Sequence, residues 1–139
     1  MGAHLSVPMY RRSLPQRYQL VGARCNACQR VNFPPKAACK YCGTVGFEEI
    51  RLSGKGKVFS FTKIAAAAAP PEFDEDAKVV SSFPVALVQL DEGAMIMAQL
   101  ADCKDEDVKI GLEVEMVIRR IYAEENVMRY GYKFRPLRK

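Results

Sequence analysis

The chain has 139 residues, 49% of them hydrophobic and 27% charged, and a formal charge of +5. That size and mix fit one soluble domain, or one domain plus a small metal module, and no apolar run approaches the roughly 18 residues of a membrane helix. The charge is too mild to require a nucleic-acid partner, and the opening MGAHLSVPMYRRSL lacks the continuous apolar core of a secretory signal.

Residues 1–20 read as an N-terminal arm. Pro8 and Pro15 punctuate it, so any helix between them is expected to be short. Met9, Tyr10, Leu14, Tyr18 and Leu20 alternate with Arg11, Arg12 and Arg17, which suits an arm packed on its own domain or docked on a partner.

Residues 21–46 carry two cysteine pairs, Cys25-x2-Cys28 and Cys39-x2-Cys42, with ten residues between them. A two-residue gap lets both sulfurs of a knuckle face one ion, and two knuckles complete a four-thiolate shell. Such a shell keeps no position open for water, so the expected role is structural. Zinc is the expected metal, one ion per chain, with iron as the alternative because both accept four sulfurs. Arg24, Arg30, Lys36 and Lys40 lie close in sequence to the ligands and can offset their negative charge. An odd count of five cysteines, four of them in tight pairs, points to metal in a reducing compartment, hence the cytoplasm. Cys103 stands apart and reads as a small core or surface residue.

Residues 47–139 read as a β-barrel. After the turn Ser53-Gly54-Lys55-Gly56, strict alternation would put Val58, Ser60, Thr62 and Ile64 on one face and Phe59 and Phe61 on the other. Residues 65–82 form a long connection, with five alanines running into Pro70 and Pro71. Residues 84–91 read as a buried strand, Asp91-Glu92-Gly93 as a hairpin turn and 94–100 as the returning strand. In 112–122, Leu112, Val114, Met116 and Ile118 share a face. In 127–135, Met128, Tyr130, Tyr132 and Phe134 lie opposite Arg129 and Lys133. About five strands with short turns predict a mainly β fold, a five-stranded OB-type barrel behind the ribbon, with a small sandwich as the fallback.

Catalytic machinery is not apparent. His4 is the sole histidine, so Cys103 has no partner base, and no phosphate-binding glycine loop is present. The runs Asp74-Glu75-Asp76 and Asp105-Glu106-Asp107 read as solvated loop charge. The chain is expected not to be an enzyme. The aromatics Phe59, Phe61, Tyr130, Tyr132 and Phe134 are expected in the core. Exposed beside Lys55, Lys57, Arg129 and Lys133, they would instead stack on bases or an adenine group.

The string from Leu20 to Gly43, with Phe33-Pro34-Pro35-Lys36 between the knuckles, resembles the rubredoxin-like ribbon of the acyl-CoA-associated zinc-ribbon/OB-fold proteins. Leu52 to Thr62, Pro70-Pro71-x-Phe73, Leu90 to Gly93 and Gly131-Tyr132-Lys133-Phe134 extend the likeness over about residues 9–137. The Pro8-to-Arg12 arm and the Tyr-Gly-Tyr-Lys-Phe ending look most like an archaeal branch that accompanies acetoacetyl-CoA thiolase and hydroxymethylglutaryl-CoA synthase of the mevalonate route. The resemblance implies a non-catalytic scaffold that bridges the two enzymes so that acetoacetyl-CoA passes between them. Its partner or CoA contacts would include Phe33, Pro34, Pro35, Lys36, Lys55, Lys57, Phe73 and Tyr132, with CoA at a site shared with the enzymes. Another thiolase-like or hydratase-like partner, or a nucleic acid, is the alternative.

Overall fold

The computed structural model describes residues 7–65, 67, 81–124 and 127–138. His4, Phe73, the acidic run 74–76 and most of the alanine stretch 65–69 lie outside the described residues.

The chain opens with a thirteen-residue helix, α1, Val7–Gln19. It runs through Pro15, which corrects the expectation that the two prolines would confine it. Pro8 stands in the first turn, where its missing N–H has no helical acceptor anyway. Pro15 removes one internal donor, but Arg11 and Pro15 are exposed, so water can serve the freed carbonyl. Helix α1 packs against the next strand and the final one. Among the described residues, no helix is long and apolar enough to cross a membrane.

Three short strands make the ribbon: β1 Val21–Cys25, β2 Val31–Asn32 and β3 Phe47–Arg51. They pair antiparallel in the order β2-β1-β3, with Cys25 opposite Phe47 and Val21 opposite Arg51. Residues 47–51, on the barrel side of the expected division at 46/47, thus complete the ribbon sheet.

Five strands make the second sheet: β4 Lys55–Ala65, β5 Ser82–Leu90, β6 Met95–Gln99, β7 Glu113–Glu124 and β8 Val127–Pro136. Their order is β6-β5-β4-β7-β8, all antiparallel. The two edges approach each other where Leu100 bridges Phe134 and Ala101 N donates to Phe134 O at 2.7 Å. This nearly closed sheet is the expected OB-type barrel.

Alternation along β4 fails at one point. Val58 pairs with Val88 but Ser60 pairs with Leu87, so Phe59 is the extra residue of a bulge. Phe59 faces out, 56% exposed, opposite buried Val58, and the insertion turns Phe61 back to pack against the core. Phe59 and Phe61 therefore do not share a face, as a strict period of two required. On β8, Phe134 is fully buried and Tyr132 packs against the core, but Tyr130 and Met128 are exposed because their end of the hairpin runs past the barrel. Lys133, expected on the solvent side, is buried in a strand that α1 packs against.

One core joins the two modules. Leu20, Val31 and Leu52 from the ribbon side cluster with Val58, Val88, Leu90, Val114 and Phe134 of the barrel. Leu52 N donates to Leu20 O, and Met116 N donates to Gly54 O at 2.7 Å. Gly56 sits where β4 passes between β5 and β7, and a Cβ there would lie 2.3 Å from Gln89 O. At the closing seam, Asp102 takes a hydrogen bond from Arg119 at 2.6 Å and lies 3.9 Å from Arg135. The Arg119 hydrogen bond, opposed by slight burial, holds the Asp102 carboxyl below its usual range.

Two predictions follow from this architecture. Gly56→Ala drives a methyl into the β5 backbone and is expected to destabilise the fold by about 3 kcal/mol or more, read as a fall in the denaturant midpoint. Asp102→Asn keeps a side chain that tolerates the left-handed backbone found there (φ 55°) while removing the charge. A carboxyl lowered on folding stabilises above its unfolded pKa of about 4, and the effect fades as pH falls through the folded value. The variant is therefore expected to be weaker by no more than about 1 kcal/mol at pH 7, since the pair is partly exposed, with the difference shrinking below about pH 4 in pH-dependent melts.

Candidate metal centre

The two cysteine pairs are folded by the same backbone device. Gln29 N donates to Cys25 O at 3.0 Å, and Gly43 N donates to Cys39 O at 2.9 Å. Cys25 N donates to Arg30 O, and Cys39 N donates to Thr44 O, both at 3.0 Å. Each knuckle ends on a left-handed residue, Gln29 at φ 59° and Gly43 at φ 75°. Glycine adopts that conformation freely, whereas a glutamine pays a steric cost of roughly 1 kcal/mol. The Gln29 side chain answers with a hydrogen bond to Asn26 O at 3.0 Å.

These turns bring four sulfurs together. Cys25 Sγ lies 3.6 Å from Cys42 Sγ, and Cys28 Sγ lies 3.6 Å from Cys39 Sγ. All four fall within 4.8 Å of one another. Tetrahedral zinc with bonds of about 2.3 Å needs sulfurs about 3.8 Å apart, so the set lies close to the geometry such an ion requires. Cys25 and Cys39 are buried and Cys42 is exposed, which places the cluster at the rim of the ribbon.

The thiols differ in acidity. At Cys28 the Arg30 backbone bond pulls down, but burial and the three neighbouring sulfurs prevail and push it up to about 11. At Cys39 burial pushes up, but the Asn32 amide, the Tyr41 and Cys42 backbone and the Cys28 thiol prevail and bring it to about 6. Cys42 is lowered chiefly by the Thr44 hydroxyl and backbone. The four thiols thus titrate as one interacting group, and a bound metal displaces the protons they carry.

The other sequence-predicted residues do not gather into one place. Phe33 is half-buried and packs against the core, and Pro35 is half-buried, while Pro34 and Lys36 are exposed on the loop between the knuckles. Lys55 and Lys57 are exposed on β4, and Lys57 pairs with Glu113 at 3.7 Å. Tyr132 lies edge-on to Phe134 with ring centres 6.4 Å apart, and burial raises its hydroxyl. Cys103 is half-buried beside the core, with its thiol raised by burial and by Asp105, Asp107 and Asp102.

Sequence reasoning missed three groups. Asn32, 1% exposed, touches the metal cluster. Tyr41 carries Arg30 at 4.9 Å and Lys40 at 4.8 Å over its ring, so two of the expected charge-offsetting cations turn to an aromatic. Glu92 accepts from Ser53 N with one oxygen, while its other oxygen is buried without a partner among the described residues. Glu92 lines a cleft of about 380 Å³ with Gln29, Arg30, Val31, Tyr41 and Gly93, between ribbon and β5–β6 turn. Nothing in the spacing marked Asn32 beforehand, because spacing alone does not reveal burial.

Comparison with known proteins places this geometry. Residues 12–48 match the family described as "ChsH2, rubredoxin-like zinc ribbon domain", and residues 49–119 match "ChsH2, C-terminal OB-fold domain". A "DUF35 domain-containing scaffold protein" of Methanocaldococcus jannaschii is 44% identical over 91% of this chain and 87% of its own length. "Benzoylsuccinyl-CoA thiolase subunit BbsA" of Thauera aromatica is 28% identical over 85% of this chain and 76% of its own. A solved chain of the "Ltp2-ChsH2(DUF35) aldolase" superposes with a TM-score of 0.68 and 25% identity, covering 98% of each chain.

Elemental analysis of the purified protein is expected to find one zinc per chain, and Cys25→Ser to abolish stoichiometric binding. Because a metal binds thiolates and displaces thiol protons, loading the metal-free protein is expected to release protons and to weaken as pH falls, measured by calorimetry in buffers of different ionisation enthalpy. Protein containing neither zinc nor iron would contradict this assignment.

Proposed function

The chain belongs to the ChsH2-type family of rubredoxin-like zinc ribbons joined to an OB-fold, and on that premise we propose that it is a non-catalytic scaffold of an acyl-CoA-processing complex. In the finer form of this proposal it bridges acetoacetyl-CoA thiolase and hydroxymethylglutaryl-CoA synthase, so that acetoacetyl-CoA is passed on. The observation that carries the scaffold reading is the near full-length similarity to an archaeal protein named a scaffold. The chemistry agrees. A four-sulfur shell leaves a metal no open position for substrate, so the centre holds shape rather than activates water.

Two separate apolar surfaces also support a bridging role. Leu87 of β5 pairs with exposed Met97 of β6 and with Ser60, beside exposed Phe59 at the bulge. Ile110 is exposed next to Gly111, whose N–H bonds Val58 O on the same strand. On the projecting β7–β8 hairpin, Ile118, Tyr130 and Met128 are exposed together on one face. Exposed apolar groups of this kind commonly mark protein contacts. Pro34, Lys36, Lys55 and Lys57 remain available to partner or CoA phosphates, whereas Phe33 and Tyr132 act through the core they support.

A second reading is a complex with one thiolase-like enzyme alone. It is favoured by the relative named as a benzoylsuccinyl-CoA thiolase subunit and by the fold shared with the aldolase chain. Co-expression with the thiolase and the synthase, followed by light scattering, separates the two. The bridging proposal expects a ternary complex that breaks into separate enzymes when this chain is omitted. A stable complex with the thiolase only would select the second reading, and recovery of the chain by itself would sink both.

A further inference from the structure

Asn32 lies at the end of β2, seven residues before Cys39, and is 1% exposed. A buried amide without partners would cost several kcal/mol, so its contacts define its role. Its Oδ1 accepts from Lys40 N at 3.1 Å. A backbone N–H can only donate, so the oxygen faces Lys40 and the amide nitrogen faces the other way. That nitrogen donates to Cys39 Sγ at 3.5 Å and makes a weaker contact to Arg30 O at 3.4 Å. Arg30 O is itself the acceptor for Cys25 N. One side chain thus ties the backbone of the first knuckle to both the backbone and the sulfur of the second.

We propose that Asn32 is a positioning residue of the metal centre, which clamps the second knuckle to β2 and donates a hydrogen bond to the Cys39 sulfur. The donor offsets part of the negative charge that four thiolates bring to one ion, and it acts from inside the protein, where Lys36 and Lys40, both exposed, do not reach. An aspartate of the same shape keeps the bond to Lys40 N but sets a carboxylate against the sulfur. An alanine removes all three contacts and leaves Lys40 N without its acceptor.

The test begins with the intact protein loaded with cadmium-113. A hydrogen bond onto a metal-bound sulfur is expected to give a scalar correlation between an Asn32 side-chain amide proton and the cadmium nucleus. The cobalt(II)-loaded protein is then compared with Asn32→Asp and Asn32→Ala. Both variants are expected to bind cobalt about 10- to 100-fold more weakly in chelator competition. Their sulfur-to-cobalt charge-transfer band is expected to move to lower energy, because a thiolate that loses a hydrogen bond releases its electrons more readily. A variant with reduced affinity and an unmoved band would show a merely structural role and overturn the proposal. So would the absence of the cadmium correlation in the unmodified protein, which decides the matter even where a variant fails to fold.

Discussion

Everything in the ribbon depends on four sulfurs meeting at one point. The module has strands of five, two and five residues, too short to bury a core of their own. Two knuckles with matching backbone bonds hold the cysteines within 4.8 Å of one another. Without an ion, four sulfur groups at that distance repel as they ionise, and the acidity of Cys28 and Cys39 is pushed in opposite directions. With an ion, the repulsion becomes attraction, and the loop between the knuckles gains a fixed shape. The metal is therefore best understood as part of the fold.

The barrel receives that shape through a shared core. Leu20 follows the helix, Val31 lies on β2 and Leu52 follows β3, yet all three belong to one cluster with Val88, Val114 and Phe134. The close passage at Gly56 and the bond from Met116 N to Gly54 O pin the junction from the barrel side. Glu92 reaches across from the β5–β6 turn to Ser53 N. Ribbon and barrel consequently present their surfaces in a set relation, as the proposed scaffold role requires.

Much of this was legible in the sequence, for identifiable reasons. Two Cys-x2-Cys pairs encode the metal cluster because the geometry is local to each knuckle. The β5–β6 hairpin was readable because apolar strands flank a glycine that needs positive φ, observed at Gly93. The failures were non-local. The bulge at Phe59 depends on how β4 meets β5, and one extra residue reversed the face of an aromatic. Strand alternation could not show that Lys133 is buried, and the reach of α1 through Pro15 depends on solvent at that carbonyl. Asn32 carried no signal because its value lies in meeting a sulfur across the ribbon. The acyl-CoA connection came from resemblance and comparison, since no residue type in the chain demands it.

The central claim, that the metal sets the ribbon and the shared core conveys this to the barrel, is tested most directly by amide hydrogen exchange before and after chelation. The account predicts that removing the metal strips protection from β1, β2 and β3 and weakens it at the Leu52–Gly54 junction, while β5 and β6 keep theirs. Unchanged protection across β1–β3 in the metal-free protein would contradict it.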